Sequence, residues 1–94
     1  MAKLSEYGKQ VIQPWEKMQA EDLAKGNRPI EGTYVYEDCI CSVRDAAGWC
    51  LLTYDDPLAI VDEWIEDGAV EAWGFTVTAI RAELVKCLET PATA

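Results

Sequence analysis

The side chains able to do chemistry in this 94-residue chain are seventeen carboxylates and four thiols, because histidine is absent. Without an imidazole, proton transfer near neutral pH would fall to a carboxylate, cysteine, lysine or tyrosine. The pairings for such work are poor. Glu37 and Asp38 are adjacent, so extended backbone would send their side chains to opposite faces. No glycine-rich phosphate loop occurs, and the carboxylates around Gly68 miss the spacing of a calcium loop. These residues predict a non-catalytic protein with no cofactor.

The thiols are Cys39, Cys41, Cys50 and Cys87. A four-thiolate zinc site normally draws on two Cys pairs, each with two to four residues between its members. Here the single close pair has one residue between its members and spans about 6–7 Å in an extended strand, which is awkward for a shared metal. Small buried apolar groups are therefore the expected role of these cysteines. A cysteine-based metal or redox module is an alternative.

Charge is the stronger signal. Residues 55–71 hold Asp55, Asp56, Asp62, Glu63, Glu66, Asp67 and Glu71 with no lysine or arginine, interleaved with Leu58, Ile60, Val61, Trp64 and Ile65. A disordered acidic tail would lack that apolar half. The net charge is −9, and it is uneven: residues 1–28 carry +1 and residues 29–94 carry −10. Direct binding to nucleic acid is disfavoured by repulsion from phosphates, and no apolar run approaches the roughly eighteen residues of a membrane span. The opening Met-Ala-Lys-Leu-Ser-Glu lacks the apolar stretch of a signal peptide, so a cytoplasmic setting with reduced thiols is expected.

The elements that position these groups follow from period and punctuation. Leu4, Tyr7, Val11, Ile12, Trp15 and Met18 recur at helical spacing over about 3–25. Pro14 would cost about 3 kcal/mol in a helix interior, so two short helices divided near Gln13 are preferred to one kinked helix. Thr33 to Val43 reads as a strand, Asp45-Ala46-Ala47-Gly48 as a turn, and Trp49 to Tyr54 as the second strand. That hairpin would place Val35, Glu37, Cys39, Cys41, Val43, Cys50, Leu52 and Tyr54 against the helices, with Tyr34, Tyr36 and Asp38 on the more open face.

Asp55 or Asp56 caps the next helix, with Pro57 at its first position. Leu58, Val61, Trp64 and Ile65 are its buried stripe, and Gly68 ends it. A last helix runs from Thr76 or Thr78 to Glu89, burying Val77, Ile80, Leu84, Cys87 and Leu88. Residues 69–75 are ambiguous between a short helix and a third strand. Trp15, Trp64 and Trp73 are assigned to the interior, and Trp49 to either the interior or the open face.

The expected architecture is one small α+β domain over residues 1–94, with a frayed tail at about 90–94. It has an N-terminal helix, a β-hairpin and two C-terminal helices packed on one sheet face. The like-charge pairs Asp62/Glu66 and Glu63/Asp67 stand four residues apart, each costing about 0.2–0.5 kcal/mol. Such clustering predicts a binding surface. Asp62, Glu63, Glu66, Asp67 and Glu71 would contact a basic surface of another protein, with Tyr34 and Tyr36 as aromatic anchors.

The sharper expectation is nucleic-acid mimicry: an inhibitor filling the basic channel of a nucleic-acid-handling enzyme, of a kind suited to phage or mobile-element counter-defence. The alternative is a structural or adaptor protein that forms a homodimer through the hairpin.

Overall fold

The computed structural model describes residues 3–26 and 36–89. Ser5 starts the first helix, α1 (Glu6–Ala24), its hydroxyl accepting from the Gly8 amide. The helix runs unbroken through Pro14, so the expected division at Gln13 does not occur. Gln10 and Pro14 are both exposed, and water can satisfy the Gln10 carbonyl that proline leaves without its donor. The opposite face buries Val11, Ile12 and Trp15.

After a 3₁₀ turn at Glu37–Cys39 comes α2 (Val43–Thr53). Here the expected hairpin is overturned: residues 43–53, including the supposed turn and most of the second strand, are helical. Ser42 supplies the reason. Its hydroxyl accepts from the Asp45 amide at 3.0 Å, while the Asp45 carboxylate reaches back to the Cys41 amide at 3.1 Å. This reciprocal pairing nucleates a helix where a four-residue turn was expected. Ala46, Ala47, Gly48, Trp49 and Cys50 are then buried in succession, as in a helix enclosed on most sides. The proposed strand face fails with it. Glu37, Cys39 and Cys41 are exposed, and only Cys50 enters the core. The first strand's residues 33–35, Tyr34 among them, and the tail at 90–94 lie outside the described residues.

The third helix, α3 (Pro57–Glu66), begins as expected. Asp56 accepts from the Ala59 amide at 3.3 Å, Pro57 takes the first position, and Gly68 follows the helix with φ +88°. The ambiguous stretch forms a hairpin, β1 (Glu71–Ala72) with β2 (Phe75–Thr76), pairing Glu71 with Thr76 and Ala72 with Phe75. Thr76 then caps α4 (Val77–Cys87) by accepting from the Ala79 amide at 3.2 Å. The fold is thus a small α+β domain with an N-terminal helix, a short β-hairpin and C-terminal helices packed against it.

Helix α2 packs against both α1 and α4, and α3 against α4. Their buried residues form one cluster: Val11 and Trp15, Ala46, Ala47, Trp49 and Cys50, Val61, and Val77, Ile80, Leu84 and Cys87. Trp49 is 1% exposed, a burial whose removal costs about 3–5 kcal/mol. The chain ends of the described region are stitched together. Ser5 donates its amide to Cys87 O (2.9 Å) and its hydroxyl to Lys86 O (2.6 Å), and the Glu89 amide donates to Lys3 O (2.7 Å). No described helix is long and apolar enough to cross a membrane.

Candidate functional site

Two features meet on the α3–hairpin side of the molecule. The first is the acidic segment. Glu63, Glu66, Asp67 and Glu71 are all exposed. Asp62 is the exception among the expected contacts, because Arg81 Nε donates to its Oδ1 at 2.7 Å. The other basic side chains of residues 36–89 are engaged elsewhere: Arg44 lies 5.5 Å from the Tyr7 ring centroid, and Lys86 pairs with Glu83 at 3.5 Å. Among the described residues, no lysine or arginine forms an ion pair with Glu63, Glu66, Asp67 or Glu71.

Apolar groups sit among these anions. Ile65, expected in the buried stripe, is 41% exposed, and Val70 is 72% exposed. The helix buries Pro57 and Val61, with Leu58 and Trp64 half-buried, so its covered stripe is narrower than expected.

Tyr36 does not serve as a free anchor. It is half-buried at φ 69°, and its hydroxyl donates to the Asp22 carboxylate, tying the 3₁₀ turn to α1. That bond holds the phenol proton and pushes the Tyr36 pKa up to about 12, with burial and the Asp22 charge adding to it. Tyr7 makes the equivalent bond to Glu83, which raises its pKa too.

The second feature is an aromatic cleft of ≈ 390 Å³, lined by Trp49, Tyr54, Trp64 and Trp73 together with Glu37 and Glu71. The four rings close a circuit of edge-to-face contacts. Centroids are 5.6 Å apart for Trp49–Tyr54, 6.3 Å for Tyr54–Trp64, 5.9 Å for Trp64–Trp73 and 5.1 Å for Trp73–Trp49. Trp49 is buried and the other three are half-buried, so Trp64 and Trp73 stand at the cleft rather than in the interior assigned to them.

Trp73 is held there by a tight turn. It and Gly74 have φ of 55° and 81°, the pattern of a two-residue type I′ hairpin loop, whose first position normally goes to Asn, Asp or Gly. A left-handed conformation costs a residue with a Cβ about 1–2 kcal/mol. The indole offsets that cost by packing edge-to-face with Trp49 and Trp64 and by donating Nε1–H to Glu37 Oε1 at 2.8 Å. The sequence carried a partial sign of this cleft, four tryptophans in so short a chain with one at a glycine turn, but nothing that joined residue 37 to residue 73.

The thiols divide. Cys50 and Cys87 are buried, and burial pushes their pKa values up to about 12 and about 11, while Cys39 and Cys41 are exposed. Among the described residues, no three of Cys, Asp and Glu are grouped to hold a metal ion. The chain matches no protein-family model, no curated protein and no solved structure.

Proposed function

We propose that this protein is a non-catalytic acidic module that binds a basic surface of another protein. The observation that carries this reading is the set Glu63, Glu66, Asp67 and Glu71, exposed on α3 and the strand after it and paired with no lysine or arginine among the described residues, while the nearest cations in sequence are engaged elsewhere. Glu63 and Asp67 repel one another at four-residue spacing, and Asp67 sits at the helix C-terminus, where the dipole disfavours an anion. Solubility needs negative charge without needing it in the least favourable places. Exposed Ile65 and Val70 add the apolar contacts that interfaces combine with a polar rim.

The sharper form of the proposal is an inhibitor that occupies a nucleic-acid channel, since a row of fixed anions competes with phosphates for the same lysines and arginines. A homodimer built on strands 33–43 and 49–54 loses its element, because 43–53 is helical.

The test is capture of partners from the native host by the wild-type protein and by a Glu63→Lys/Glu66→Lys variant. The expected result is a basic protein retained by the wild type, released by salt, displaced by duplex DNA and lost with the variant. Retention that ignores salt and charge reversal, or no basic protein retained at all, overturns the proposal.

A further inference from the structure

The cleft has a chemistry that the acidic surface alone does not supply. Its walls are four aromatic rings with Ala69, Ala72 and Val77, its rim carries the carboxylates of Glu37 and Glu71, and among the described residues no lysine or arginine lines it. Neighbouring ring planes cross at 65–86°, so the four rings are not coplanar, and an aromatic face open to the cleft would attract a cation. Glu37 is fixed by the Trp73 indole, which leaves the carboxylate's charge at the rim without neutralising it. At ≈ 390 Å³ the space falls at the small end of the range for ligand pockets. An apolar ligand would satisfy the rings and leave two anions uncompensated; an anion would be repelled by both. An alkyl stem ending in a positive charge would lie against the half-buried rings of Trp64 and Trp73 and bring its charge to both carboxylates.

We propose that this cleft receives an organic cation, the ammonium or guanidinium end of a lysine or arginine side chain on the basic partner. The source of the cation rests on the docking function proposed above; the cation selectivity of the cleft does not. Glu71 belongs both to the cleft rim and to the exposed acidic set, so an inserted side chain would be flanked by the surface that draws the partner in.

The selectivity is tested with choline against 3,3-dimethylbutan-1-ol, which has the same shape without the charge. Binding is followed through the tryptophan indole N–H resonances in two-dimensional NMR. The resonances of Trp64 and Trp73 should move with choline, whereas that of Trp15, which abuts Gly48 outside the cleft, should not. The neutral isostere should bind about tenfold more weakly. Trp73→Asn keeps a residue suited to the turn while removing a wall, and Glu37→Gln/Glu71→Gln keeps the shape while removing the charge; each should weaken choline binding severalfold. Equal binding of choline and its isostere, movement of Trp15 alone, or no effect of either variant overturns the cation site.

A short peptide with a central lysine tests the source. It should bind more tightly than choline, and a peptide no better than choline overturns the side-chain assignment in favour of a free small cation. The two proposals fail separately. Partner capture that survives Trp73→Asn but not Glu63→Lys/Glu66→Lys overturns the cleft's part in docking. Choline binding by a protein that captures no basic partner overturns the docking function.

Discussion

Replacing Gly8 by alanine should destabilise the protein, against the usual preference of helices. In an exposed helix interior the change would gain about 1 kcal/mol. Here an added Cβ would lie 2.0 Å from the Cys87 carbonyl oxygen, 2.8 Å from its carbon and 3.0 Å from its Cα. These are backbone atoms, so no side chain can swing away to make room. The same carbonyl accepts from the Ser5 amide at 2.9 Å, and the neighbouring Lys86 carbonyl accepts from the Ser5 hydroxyl at 2.6 Å, so retreat of α4 from α1 strains both bonds. Overpacking costs about 1–3 kcal/mol, and each weakened hydrogen bond about 0.5–1.5 kcal/mol. After the propensity gain is subtracted, a net loss of about 1–5 kcal/mol remains.

Urea unfolding followed by tryptophan fluorescence reads this directly. With a slope of about 1–1.5 kcal/mol per molar for so short a chain, the midpoint should fall by at least about 0.7 M. Ala20→Gly, on the exposed side of the same helix, is the control and should lose about 1 kcal/mol. A Gly8→Ala variant as stable as the wild type, or more so, would refute the backbone-to-backbone contact of α1 with the end of α4.

Ser42→Ala should cost about 1 kcal/mol through loss of the α2 cap, measurable by the same unfolding experiment. A change within about 0.5 kcal/mol, the range of an ordinary surface substitution, would speak against the helix start. Alkaline pH should also weaken the fold. Tyr36 rises from 10.0 to about 12, Cys50 from 9.0 to about 12 and Cys87 from 9.0 to about 11, so the native state holds these protons longer than the unfolded chain does. Their contribution is fully present below pH 9 and is lost as pH climbs through 11 to 12. The urea midpoint should therefore decline between pH 9 and 12, less steeply in Cys50→Ala. A flat profile across that window in the wild type would contradict the burial of these thiols.

Local chemistry made some elements readable from the chain alone. Asp56 before Pro57, Gly68 after the helix, and Thr76 three residues ahead of the Ala79 amide act within one turn of backbone, so α3 and α4 appear near their expected bounds. The uneven charge is likewise a property of composition, and among the described residues it leaves Glu63, Glu66, Asp67 and Glu71 without an ion pair once Arg81 is committed to Asp62.

What escaped the sequence is what depends on enclosure. Helix α2 is covered by α1 and α4 over five successive residues, which erases the 3.6-residue alternation that would have announced it and leaves a run easily mistaken for a strand. The cleft was hidden for a related reason. Its rings come from α2, its C-cap, α3 and a hairpin turn, and its carboxylates from residues 37 and 71, positions that no spacing rule links. Only the packing of those elements turned three tryptophans and one tyrosine, each an ordinary core candidate on its own, into one wall.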